Sequence, residues 1–246
     1  MPAETILIIG ATGNMGTAAI TAGLKASYNI LALIRSTASK EKLLANLPPN
    51  LDTTRITFAT TDVTSPTGVR EIVDHVKEGQ LPPFHHVWAS VGAEYVNDPL
   101  LSLDVSRIRA NMTTGFEANV LAYLATMPYL LSLPGKGKGC TWTLCTGSQG
   151  DIGTHPLPAM TQGALFSFAV AAARECEDGG CGVRFAEVYL GFRVEVDREA
   201  EAHRVVGASR FAGVYGRVLG DERVEGVRVL VERSEDMETL RWVRRF

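Results

Sequence analysis

The stretch TILIIGATGNMG, Thr5 to Gly16, constrains the fold of this chain more than any other. An unbroken apolar run reads as a short buried strand, and the residues that follow, NMGTAAITAGLKAS, read as a helix. Glycines 10, 13 and 16 punctuate the turn between them. Gly10 permits the tight turn, Gly13 lets the backbone approach a pyrophosphate, and Gly16 lets helix and strand pack closely. The start of the helix offers unpaired N–H groups and the positive end of its dipole to phosphate. Thr12, Asn14 and Met15 lie in the same turn and join the glycines as candidate dinucleotide contacts.

The same alternation continues along all 246 residues. NILALIR, RITFATTD, HHVWASVG, CTWTLCTG, VRFAEVYLG and GVRVLVE read as further strands. The helices between them include one long one over VSRIRANMTTGFEANVLAYLATMPYLL and another over GALFSFAVAAARECE. Nearly continuous apolar strands separated by helices imply a parallel sheet covered on both faces. The expectation is a Rossmann-type, doubly wound α/β fold of about seven strands in three layers, forming a single domain over 1–246. LPGKGKGC is a Gly/Lys turn within it, not a domain boundary.

The second strand ends in Arg35 and Ser36, with no acid until Glu41. An acid there would hold the ribose hydroxyls of NAD, whereas an arginine accommodates a 2′-phosphate. NADP(H) is therefore the expected cofactor.

With these features in place the chain resembles the short-chain dehydrogenase/reductase family over nearly its whole length. GATGNMG is similar to the glycine motif of its atypical branches, NmrA-like proteins included. TTDVT resembles the end of strand three, so the resemblance puts Asp62 and Val63 beside the adenine. ASVGA stands where the family has Asn-Asn-Ala-Gly; Ala89 and Gly92 fall at cofactor positions while both asparagines are replaced. RANMTTGFEANVLA resembles the helix with the active-site asparagine, matched by Asn111. TLCTGSQG resembles the catalytic-serine strand end, with Thr146 and Gly147 in the serine slots and Ser148 one step later. TQGALFSFAVAAARE resembles the Ser-Lys-x-Ala-Leu helix. That match puts Gln162 in the lysine slot and Pro158 in the tyrosine slot. Gln162 can still bond a ribose, but it carries no charge, and Pro158 transfers no proton.

The usual Tyr-x-x-x-Lys pair is thus missing. Asp151, Ser148, Tyr95 and Asn111 are the candidate catalytic residues. Asp151 is either a general acid/base or charge for a cationic substrate, or a turn cap in SQGDIG. Tyr95 is a candidate displaced phenol, and Glu94, Cys145 and His155 fall on the same loops. His155 reads as a solvated loop residue, and the pair His85–His86 as structural. The resemblance implies a substrate lid over about 192–216. Three function classes remain: an NADPH-dependent reductase of an iminium or another activated electrophile, a non-redox cyclase or isomerase using the same pocket, and an NmrA-like nucleotide sensor.

The rest of the composition narrows the partners. The net charge of −3 gives no basic footprint for nucleic acid. Cys140, Cys145, Cys176 and Cys181 lack metal-site spacing, so no metal is expected. No apolar run is long enough to span a bilayer. The N-terminus reads as a strand rather than a signal peptide, so a soluble cytoplasmic protein acting on a small molecule is the expectation. The helix GALFSFAVAAARE is apolar nearly all round, which calls for a second cover beyond the sheet and implies a homodimer or homotetramer.

Overall fold

The computed structural model describes residues 4–96 and 98–245. The chain runs through β1 (Thr5–Ile9), α1 (Asn14–Lys25), β2 (Asn29–Ile34), α2 (Thr37–Asn46), β3 (Ile56–Thr60), α3 (Gly68–Lys77) and β4 (His86–Ala89). It continues through α4 (Val105–Met112), a π-helical turn (Thr113–Glu117), α5 (Ala118–Ser132), α6 (Pro134–Gly137), β5 (Thr141–Gly147) and α7 (Gln149–Ile152). α8 (Pro156–Asp178), β6 (Arg184–Leu190), β7 (Val194–Glu195), α9 (Asp197–His203) and β8 (Val206–Gly207) follow. α10 (Ala208–Gly220), β9 (Val227–Val231) and β10 (Arg241–Val243) complete the fold.

The main sheet has eight strands in the order β10-β9-β6-β5-β4-β1-β2-β3. Every pairing in it is parallel except the last, where β10 runs antiparallel to β9. The seven parallel strands are those legible in the sequence. β10 is only three residues long and shows too little alternation to be read as a strand. Each internal strand is buried on both faces, which is why the strands read as apolar runs. α1 and α10 cover one face around Ile8, Trp88 and Val188. α3, α5 and α8 cover the other around Leu7, Val87 and Trp142. Chain order reverses between β1 and β4, so a ligand cleft opens beyond their carboxyl ends.

Three elements differ from expectation. The long helix is not uniform, because a π turn separates α4 from α5. α8 starts at Pro156 rather than at Gly163; Pro156 and Pro158 fit its first turn, where amides have no intrahelical partner. Of the segment 192–216, only 192–207 lies outside the next long helix. Beyond that point the chain enters α10, whose Phe211, Val214 and Tyr215 lie in the core against the sheet. The shorter segment is pinned by Glu195, which pairs with Arg193 and accepts from His203 Nδ1 at 2.7 Å.

His86 lies at the amino edge of the sheet, between Thr141 Oγ1 at 3.0 Å and Glu4 Oε2 at 3.1 Å. Burial lowers its pKa, with Glu4 opposing the shift. It holds strands together and stands at the opposite end from the cleft.

Candidate active site

The glycine turn is built for close approach. Gly10 has φ +85°, and a Cβ there would lie 2.9 Å from the Ser90 carbonyl oxygen. A Cβ on Gly16 would sit 2.2 Å from the Gly10 carbonyl oxygen, so only glycine lets α1 start against β1. Gly13 is the N-cap of α1, with extended backbone and no side-chain cap. Its N–H donates to the Gly10 carbonyl at 3.1 Å. The first-turn amides of Asn14, Met15 and Gly16 therefore await acceptors. Thr12, Asn14 and Met15 are half-buried around the turn, and Met15 packs on the core.

A second feature lies at the same place. Ser90 Oγ is buried without a hydrogen-bond partner, directly beside Gly10. A Cβ on Gly92 would meet nothing within 4 Å, so the wall after Ala89 is open. Uncapped amides, an orphan hydroxyl and an open wall suit a dinucleotide. At the far end Arg35 and Ser36 are exposed at the tip of β2. Ser36 caps α2, its Oγ accepting the Ser39 N–H at 3.2 Å. Asp62 accepts from Thr64 N–H and Oγ1 at 2.9 and 2.7 Å. Those bonds, and then the Arg35 charge, hold its carboxyl below the usual carboxylate range. Val63 packs on the core behind it.

The positions matched to the family's catalytic motif hold different residues here. Thr146 is turned under the sheet, donating to Glu187 Oε1 at 2.8 Å, while Arg228 Nε and Nη2 hold both Glu187 oxygens at 2.8 Å. Gly147 offers no side chain. Gln162 is buried and accepts the Gly147 N–H at 2.7 Å, so the lysine slot is filled by a neutral amide facing β5. Pro158 is buried in the first turn of α8.

Tyr95 reaches the same place. A Cβ on Gly147 would lie 3.7 Å from the Tyr95 hydroxyl and 3.9 Å from Gln162 Oε1. The ring rests against His155, with centroids 5.6 Å apart. Tyr95 as a whole is 59% exposed, yet desolvation at the hydroxyl end pushes its pKa up, and the neighbouring Cys145 adds to the shift. Cys145 itself is fully buried and pushed up to about 12, which keeps it a thiol. His155 is not a free loop residue. It is the N-cap of α8, its N–H donating to Gln149 Oε1 at 2.9 Å, and its Nδ1 lies 3.2 Å from Thr154 Oγ1. Ser148 starts α7 half-buried, its N–H on the Leu190 carbonyl at 2.9 Å.

The carboxylates lie elsewhere. Asp151 is 4.0 Å from Arg228 Nη1 and stands close to the Tyr189 hydroxyl. Burial first, and then that carboxylate, push the Tyr189 phenol up to about 12. Glu94 and Asp98 share Arg107. Asn111 is buried, its Oδ1 accepting the Glu94 N–H at 2.8 Å and its Nδ2 donating to the Arg107 carbonyl at 3.0 Å. Sequence reasoning passed over Asn119, which is fully buried and bonds both the N–H and the C=O of Val91. A polar residue inside the apolar run ANVLAYLATM was the available signal. Ser90 was passed over as well. Among the described residues no group of three or more His, Cys, Asp or Glu gathers as metal ligands, and no helix is long and apolar enough to cross a membrane.

Residues 4–193 match the family model for short chain dehydrogenases. The chain is 42% identical over 246 residues to short-chain dehydrogenase/reductase iacG of Pestalotiopsis fici, covering 97% of this chain and 95% of that protein. In structure it is similar to a short chain dehydrogenase from Bacillus anthracis, with a TM-score of 0.78 at 14% identity over 99% of this chain and 98% of that one. It is also similar to ElxO with NADP bound, with a TM-score of 0.74 at 17% identity over 93% and 96% of the two chains. At such identities the structural likenesses speak for the fold.

Proposed function

The chain belongs to the short-chain dehydrogenase/reductase family, and from that premise we propose that it is an NADP(H)-dependent reductase of an activated, carbonyl-conjugated electrophile. The observation that carries this reading is the Tyr95 hydroxyl standing over Gly147 beside the neutral Gln162. Gly10, Gly13, the first turn of α1, Ser90 and Arg35 would hold the dinucleotide, which when bound supplies a hydride.

Charge decides which acceptors suit the site. A simple ketone becomes an alkoxide and needs a proton as the hydride arrives, help usually worth about 10²–10⁴-fold. Gln162 in the lysine slot carries no charge, and burial and Cys145 both raise the Tyr95 pKa, so the phenol donates a hydrogen bond without releasing its proton. A conjugated acceptor spreads its charge into an enolate, which needs only such a donor. An iminium suits the site less well. Of the carboxylates that could hold a cation, Glu94 is paired with Arg107, and the exposed Asp151 has the Arg228 guanidinium 4.0 Å away.

The test follows absorbance of the NADPH band with three probes: 2-cyclohexenone, cyclohexanone and an N-methyl cyclic iminium salt. Loss of NADPH with the enone, and negligible loss with cyclohexanone, is expected. Rapid reduction of cyclohexanone would overturn the reading. Conversion of a probe without NADPH loss would move the protein to the cyclase or isomerase class.

The assembly reading rests on the outer face of α5 and α8. Leu124 is 62% exposed and Leu131 37% exposed beside a groove of about 530 Å³ that also takes in Met127 and Cys176. Apolar side chains standing out along α5, beside a groove shared with α8, favour cover by a second copy, giving a dimer or tetramer. Light scattering at micromolar concentration is expected to give at least twice the 26.5 kDa chain mass. A monomer at that concentration would refute it. A soluble, cytoplasmic location accords with the same reading.

A further inference from the structure

We infer that the π turn Thr113–Glu117 and the two asparagines flanking it, Asn111 and Asn119, are the device that aims Tyr95 into the site. The inference rests on the reading of Tyr95 as the donor over Gly147.

The loop after β4 lacks the side chains that would hold it from within, because Ala89 and Ser90 stand where the family has asparagines. It is held from the opposite helix instead. Asn119 Oδ1 accepts the Val91 N–H at 3.2 Å and its Nδ2 donates to the Val91 carbonyl at 2.8 Å. Asn111 Oδ1 accepts the Glu94 N–H at 2.8 Å. Tyr95 is the next residue. Both amides are spent, since Asn119 Nδ2 also reaches the Gly115 carbonyl at 3.2 Å and Asn111 Nδ2 the Arg107 carbonyl at 3.0 Å. Each asparagine is therefore held by its own helix while it holds the loop.

The π turn makes the two grips coincide. In an uninterrupted α-helix, residues eight apart are displaced by about 80° around the axis, at roughly 100° per residue. Asn119 would then turn away from the loop that Asn111 holds. The wider π turn absorbs roughly one residue, which leaves the pair about two full α-helical turns apart and on one face. The turn also lies flush on its neighbours. A Cβ on Gly115 would stand 2.9 Å from Ala93 Cβ and 3.0 Å from Thr161 Cβ, so loop, π turn and α8 meet there. Asn111, Asn119 and Gly115 are thus positioning residues that act through Tyr95.

The experiment uses the full chain with NADPH bound and 3-fluorotyrosine placed at position 95. The fluorine spectrum of the otherwise native protein should show one line. In Asn111→Ala and Asn119→Ala that line should shift or split while NADPH affinity stays within about twofold. Should Asn119→Ala fail to fold, Asn111→Ala on the shorter helix carries the test. With 2-cyclohexenone as the probe, Asn111→Ala should lower kcat about tenfold, leave the KM for NADPH unchanged, and cost nothing further when added to Tyr95→Phe. An unmoved fluorine line in the folded variants would overturn the inference. If Tyr95→Phe keeps full activity while the fluorine line still responds, the functional reading fails and the positioning device stands.

Discussion

Tyr95→Phe should lower kcat/KM for an activated electrophile by about 10²–10³-fold, the usual effect of removing one donor aimed at a developing oxyanion. NADPH affinity should hold, because Tyr95 stands over Gly147 at the end of β5 and not among the glycines at the end of β1. The variant keeps the ring and its packing on His155 and removes only the hydroxyl. The pH profile distinguishes this donor from the family's usual one. Burial, with Cys145 adding, holds the Tyr95 pKa above the ordinary phenol value of 10.0. The donating form is the protonated one, so it persists from neutral pH up to at least that value. The reductive rate should therefore stay level through pH 9. Had a lysine stood at Gln162, the phenol would ionise earlier and the rate would fall on the alkaline side. Steady-state kinetics with 2-cyclohexenone across pH 6–9 measure both effects. An undiminished rate in Tyr95→Phe would remove Tyr95 from the chemistry.

The parts of this molecule legible in its sequence are those where the backbone decides. Gly10 needs a positive φ and Gly16 a missing Cβ, and both needs are local, so the nucleotide turn could be read before any contact was known. The seven parallel strands were legible because burial on both faces makes each an apolar run. The reacting end depends on which loop reaches over which strand, and no period encodes that. Asp151 follows the degraded serine motif closely in sequence, yet its carboxylate stands by Tyr189, with Arg228 of β9 4.0 Å away. Tyr95 precedes β5 by the whole length of α4, the π turn and α5, yet its hydroxyl would lie 3.7 Å from a Cβ on Gly147. The π turn was illegible for a similar reason. One extra residue in an apolar run leaves the pattern nearly intact, and only the bonds of Asn111 and Asn119 to one loop reveal it.

Arg35→Asp should reverse the order of cofactor affinities, from NADPH over NADH to NADH over NADPH. The argument begins with what stands at the tip of β2. Arg35 is exposed there, and Ser36 caps α2, so a guanidinium and the positive end of a helix face the same space. A 2′-phosphate bound there gains charge-assisted hydrogen bonds worth roughly 1.5–3 kcal/mol, or about 10- to 150-fold in affinity. Two features pull the expectation toward the lower half of that range. The site is open to solvent, and salt screens exposed charges over about 8 Å at physiological ionic strength. Asp62 also lies close enough for Arg35 to depress its carboxyl, so part of the Arg35 charge is already matched. An aspartate at 35 would leave two carboxylates facing the phosphate and would offer acceptors to the ribose hydroxyls of NADH instead. Calorimetry should show NADPH binding weakened by about ten- to hundredfold in Arg35→Asp, with NADH unchanged or tightened. Raising salt from 50 to 500 mM should weaken NADPH in the native protein and leave NADH nearly unaffected, which separates a phosphate contact from altered packing. Equal affinities for the two cofactors in the native protein would show that neither Arg35 nor the α2 terminus reads the phosphate.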